Sequence, residues 1–177
     1  MLWTLLGVGS AVAVAVSPGA APVAGHDVVR IARQPGTLSI TVPAAVNLGA
    51  AFPGSSISRT LGEVRVSDRR GGQNSVWTAT VTAIDFTTPG GGAQRQISRN
   101  QVSYWSGQTT GTSGPGTRVP GQATSAQAQS LGVARTAFAK STGNGNNTTA
   151  WQPTLILAVP ATAVGGTYTG TITHSVA

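Results

Sequence analysis

An all-β fold, an antiparallel sandwich of about eight strands, is predicted by three features of this sequence. Short runs such as Ser75–Ile84 and Tyr168–Val176 alternate apolar and polar side chains, and period two marks a half-buried strand. Turn-forming residues, among them 24 Gly and 10 Pro, separate those runs at short spacing. Charged residues make up only 8% of the chain, against about 25% in an average globular protein. No stretch therefore combines an apolar period of 3.6 with a charged opposite face.

Residues 1–24 read as a secretory signal peptide. An apolar run closes near Val16, Ser17-Pro18-Gly19 breaks it, and small residues follow as a cleavage region. The run is short for a membrane span, which needs ~20 apolar residues, although an uncleaved anchor is the competing reading. Cleavage is expected between about Gly19 and His26, leaving no membrane span. Residues 25–36 are an N-terminal segment, and 37–177 the sandwich domain. Thr37–Val42 closes on Pro43 as the first strand, and Val46–Leu48 begins a second extended piece. Ile57–Leu61 and Glu63–Val66 flank Gly62. Asp68-Arg69-Arg70-Gly71-Gly72 is a charged turn. Ser75–Ile84 is the clearest strand, with Trp77, Ala79, Val81 and Ala83 on one face. Ile97–Trp105 follows, with Val102 and Tyr104 in phase. Residues 106–125, rich in Gly, Ser and Thr, read as one long loop. Leu131–Phe138 is a further strand, and Gly143–Asn147 a turn.

The segment Trp151–Val176 anchors this plan. Leu155, Leu157 and Val159 share one face before Pro160 ends their strand, because proline cannot donate to a ladder. Gly165-Gly166 supplies a turn. In the second strand Tyr168, Ile172, His174 and Val176 alternate with Thr and Ser, giving one apolar face and one ladder of hydroxyls. The last 37 residues hold no Asp, Glu, Lys or Arg, so they must pair with earlier strands.

The same composition narrows the function classes. There is no cysteine, hence no disulfide and no thiolate metal site. Four carboxylates (Asp27, Glu63, Asp68, Asp85) and two histidines (His26, His174) form no catalytic or metal-ligating pattern, and no Gly-x-Ser-x-Gly elbow exists. No Gly-rich stretch opens a helix with the lysine of a phosphate-binding loop. The expectation is a non-enzymatic protein without cofactor or metal. Its formal net charge of +7 favours anionic polymers. Few aromatics are interleaved with the basic residues, which argues against nucleic acid. Arg69 and Arg70 read either as a solvated turn with a local ion pair or as part of a basic patch. Arg65, Arg95 and Arg99 complete the densest basic set. Trp77 reads either as a core ring between sheets or as an exposed ring that stacks on sugars.

Asp68-Arg69-Arg70-Gly71 followed by Val76-Trp77-Thr78-Ala79-Thr80-Val81 resembles the first signature of the WxL-domain surface proteins of Gram-positive bacteria. In that family an acidic-basic turn precedes a strand carrying Trp-x-Leu. The closing stretch Tyr168–Val176 resembles the second signature, and Pro160 and Gly166-Thr167-Tyr168 sit where the pattern places them. Ala79 stands in place of the first motif's leucine, and His174 and Val176 in place of the second motif's tryptophan and leucine. The resemblance spans roughly residues 37–176. It implies non-covalent attachment to the cell wall through peptidoglycan. High Ala, Arg and Gly with a single Lys suggest a GC-rich actinobacterial source. The candidate ligand-binding residues are Trp77, Tyr168, His174, Arg69 and Arg70. The expected partners are peptidoglycan or an anionic wall polymer, and alternatively other surface proteins met through a sheet edge or the Thr-rich face.

Overall fold

Three strand pairs that are distant in sequence break at one common level, and this shared break shapes the molecule. The computed structural model describes residues 36–177, which belong to the compact unit Gln34–Ala177. The expected signal peptide and nearly all of the 25–36 segment lie outside the described residues. The chain runs from β1 (Leu38–Thr41) to β2 (Ser56–Thr60) and β3 (Val64–Asp68), then to β4 (Trp77–Ala83) and a small hairpin, β5 (Phe86–Thr87) with β6 (Gln96–Ile97). It continues through β7 (Val102–Trp105), β8 (Thr109–Ser113), β9 (Arg118–Pro120), β10 (Gln129–Ser130) and β11 (Arg135–Lys140). The last strands are β12 (Asn147–Trp151), β13 (Thr154–Ala158) and β14 (Ile172–Val176). Every pairing is antiparallel, and helix among the described residues is limited to three short 3-10 turns.

One layer is a bent sheet. Its first half has the order β1-β3-β12-β8 and its second half β10-β7-β13-β2. Strands β2 and β3, β12 and β13, and β7 and β8 are successive halves of three longer strands. Trp151 faces Val64 and Thr109, while Thr154 faces Thr60 and Trp105. The breaks at 61–63, 152–153 and 106–108 therefore lie side by side. Pro153 cannot donate to the ladder, and its carbonyl accepts from Leu61 N at 2.8 Å. Gly62 and Gly107 adopt positive φ of 91° and 73°, conformations that glycine takes without steric cost. The second layer has the order β14-β4-β11-β9.

Between the layers lies the core that the period-two runs require. Trp77, Ala79, Val81 and Ala83 of β4 are buried, as alternation predicts, and Leu155 and Leu157 of β13 are buried too. On β14, Ile172, His174 and Val176 turn inward and Thr173 and Ser175 outward. Two ring contacts bridge the layers. Phe138 of β11 stacks on Trp151 of β12 at 5.0 Å, and Tyr104 of β7 tilts against His174 of β14 at 5.7 Å.

Several elements differ from the sequence reading. The stretch 106–125, expected as one loop, contains β8 and β9. Both are edge strands, β8 of small and polar residues and β9 only three residues long with Val119 exposed, so neither shows an apolar alternation. Ile97–Trp105 is interrupted by a turn at Arg99–Gln101, where Ser98 Oγ accepts from Asn100 N. Leu131–Phe138 is a turn followed by the first part of β11, and Leu131 itself is a buried turn residue just after β10. Val46–Leu48 forms no strand. The two carboxy-terminal strands lie in different layers, β13 between β2 and β7, and β14 at the edge beside β4.

Candidate binding cleft

Alternation along β14 aims His174 at the interior, where Tyr104 and Trp151 meet it. Tyr104 Oη lies 3.2 Å from His174 Nε2 and 3.3 Å from Trp151 Nε1. An indole N–H only donates, so the phenol oxygen accepts it, and among the described residues the buried phenol hydrogen has His174 Nε2 as its acceptor. This relay assigns the imidazole hydrogen to Nδ1. Burial holds the imidazole neutral, pushing its pKa down to about 4, and pushes the Tyr104 phenol up. Among the described residues Nδ1 has no hydrogen-bond partner, yet it is not sealed from solvent.

His174 lines a cleft of about 1040 Å³ between segment 42–53 and segment 163–172. Its walls include Leu48, Ile57, Leu157, Val159, Phe86 and Ile172. Among the described residues no Asp, Glu, Lys or Arg lines it. Tyr168 also belongs to the lining. Its hydroxyl lies 2.9 Å from Val164 O and 3.0 Å from Gln94 O, so it ties the 163–172 segment to the turn before β6. The opposite wall is held more loosely. Among the described residues, 42–51 make no backbone–backbone hydrogen bond. Asn47 Oδ1 accepts from Gly49 N, Leu48 O accepts from Arg59 Nε at 3.3 Å, and Leu48 leans on the core.

The other three candidates belong to a separate structural network. Trp77 is 2% exposed, so no ring face is open for sugar stacking; the core alternative describes it. Its Nε1 reaches Asn147 Oδ1 at 3.5 Å. Asp68 is fully buried and takes two hydrogen bonds from the Arg70 guanidinium, at 2.9 and 3.0 Å, and one from Arg70 N. Burial alone would raise the Asp68 pKa, but the bonds from Arg70 outweigh it and leave the carboxyl below its usual range. Arg70 Nη2 also donates to Val76 O, so Nε and Nη2 fix the turn that leads to β4. Beside them Lys140, 1% exposed, donates to the carbonyls of Ser75, Gly143 and Asn144. Arg69 is exposed. Trp77 and Ala83 stand at opposite ends of β4, about 20 Å apart at strand rise. Ala83 faces Ile172. Arg69, Arg70 and Trp77 therefore do not meet the Tyr168–His174 cleft.

No protein-family model matches the chain, and no curated protein matches it. The structure brings two of the sequence candidates, His174 and Tyr168, to one cleft, whose 42–53 wall the sequence reading did not name. That segment has small residues and no alternation, so nothing in its pattern marks a contact surface. Tyr104, which orients His174, was legible only as an in-phase core residue.

Proposed function

We propose that this protein is an exported, non-enzymatic binding module of the Gram-positive cell surface. It associates non-covalently with the wall and takes its ligand in the cleft beside His174. The observation that carries the binding reading is the cleft itself. It is large and uncharged among the described residues, and its imidazole has Nε2 occupied by a phenol and held neutral. That arrangement supplies recognition, whereas general acid–base catalysis needs a group that titrates near the working pH.

Wall association is supported by the two signature-like stretches and by the net charge of +7. The attraction belongs to exposed arginines such as Arg69. Arg65 is paired with Glu63 at 2.8 Å, and Arg70 with Asp68. The discriminating measurement is sedimentation with isolated Gram-positive walls, intact or stripped of anionic polymers, at low and high salt. Attraction to anionic polymer predicts binding that falls on stripping and in high salt. Retention under both conditions would move recognition to peptidoglycan. Absence of binding under every condition would overturn wall association. The protein-partner reading, favoured by the outer edges of β2 and β14, which pair with no further strand among the described residues, would then stand.

A further inference from the structure

We propose that the cleft is a site for a neutral, elongated apolar molecule carrying one carbonyl acceptor, an acyl ester or amide, whose oxygen accepts from His174 Nδ1–H. This deepens the binding reading above and rests on it for the location of the site. It does not depend on the wall.

Three features define the ligand. The cleft volume of about 1040 Å³ is at the upper end of small-molecule sites, which run roughly 300–1,000 Å³. The aliphatic walls Leu48, Ile57, Leu157, Val159 and Ile172, with the Phe86 ring, offer dispersion contacts along an extended chain. The missing charge sets the sign of selectivity. A carboxylate or ammonium entering this space would lose its water and find no counter-ion among the lining residues, the Arg59 guanidinium at the wall being held on Leu48 O, so a neutral body is preferred.

Of the polar side chains in the lining, which include Asn47, Thr167, Thr169 and Thr171, His174 is fixed by a buried partner. The Trp151–Tyr104–His174 relay uses up Nε2 and fixes the ring, leaving Nδ1–H as a donor without a partner among the described residues. A donor in apolar surroundings gains most from a single well-placed acceptor. A pure hydrocarbon leaves it unused. The apolar surface also continues beyond the cleft, because Val42 and Val46 on the loosely held wall are 41% and 40% exposed. Both belong to the lining, and a chain longer than the cleft would meet them.

The test uses the full chain and three probes of equal chain length delivered from cyclodextrin: methyl laurate, the laurate anion at pH 8, and dodecane. Titration calorimetry reads affinity, and the His174 ¹⁵N resonances read the contact. Methyl laurate is expected to bind and to shift the Nδ1 resonance. Dodecane should bind about three- to ten-fold more weakly for want of one hydrogen bond. Laurate should bind at least about ten-fold more weakly because its charge is unpaired. His174→Phe should erase the difference between ester and alkane. Gly165→Trp is the variant that leaves the core alone, since a Cβ there meets no atom within 4 Å. It should obstruct the cleft and weaken ester and alkane alike. Failure of methyl laurate to bind, laurate equal to the ester, or an unmoved Nδ1 resonance would each overturn the proposal. A protein that ignores cell walls but binds the ester would refute wall association and leave this site intact.

Discussion

His174 carries a cost that pH can expose. Its pKa is lowered from 6.5 to about 4 by burial, so the folded state holds the ring neutral where the unfolded chain would already be protonated. Stability is therefore full above about pH 6.5 and falls as pH drops toward 4, because the unfolded state binds the proton first. Between pH 7.5 and 4.5 the loss should be about 2–3 kcal/mol, read from urea midpoints. His174→Gln, which keeps an acceptor for the Tyr104 hydroxyl, should lack that loss. A wild-type midpoint constant over this window would show that the ring is solvated. Trp77 makes a second residue-scale statement. With 2% exposure, Trp77→Ala should cost about 3–5 kcal/mol, as large-to-small core changes do. An unchanged denaturant midpoint would contradict the packing. The sequence carried both possibilities for this ring, and alternation along β4 already pointed inward. It could not show that Asp68 and Arg70 are spent on each other, because an ion pair is read from geometry and not from adjacency. Nor could it show that Lys140, counted among the basic residues, donates to three backbone carbonyls inside the protein.

At the scale of elements, the legible ones bury one face. β3, β4 and β13 alternate because a core lies on one side of them, and each was found within a few residues. β8 and β9 were not, since exposed edge strands have no need to alternate. Gly62 was correctly placed between two short strands, but its partners at the bend, Gly107 and Pro153, could be matched only once the register was known. The bend is testable at that glycine. Gly62 has φ of 91°, and an added Cβ would come within 2.9 Å of Pro43 Cγ. Gly62→Ala should therefore destabilise by about 1–2 kcal/mol, measured by thermal or chemical unfolding. A variant as stable as the parent would mean that the backbone relaxes out of this conformation at no cost.

For the whole molecule, the electrostatic prediction concerns reach. An exposed cationic surface acts over about one Debye length, ~8 Å at physiological salt, so wall retention driven by charge should decline steadily as salt is raised. The apolar cleft should respond in the opposite sense or not at all, since excluded salts strengthen apolar burial. Measuring wall sedimentation and ester affinity over one salt series separates the two surfaces. Parallel losses in both would show that a single charged surface governs all binding. Fold class at this scale was legible because period, turn spacing and low charge all pointed the same way. The cleft was not, because a cavity is what neighbouring elements fail to fill, and no single stretch of sequence encodes it.

The shared bend also sets an order of events. Its middle strand, β12 with β13, comes late in the chain, and every neighbour it pairs with precedes it. Asn147 meets Asp68 across 79 residues of intervening chain. Until residues near 158 have been made, the earlier halves β2–β3 and β7–β8 have nothing between them to pair with, and their loop-closure entropy goes unrewarded. Folding of the bent layer should therefore be slow, because its two flanking halves wait for the middle strand. Under the export proposed above, that delay would keep the chain threadable until its middle strand is made.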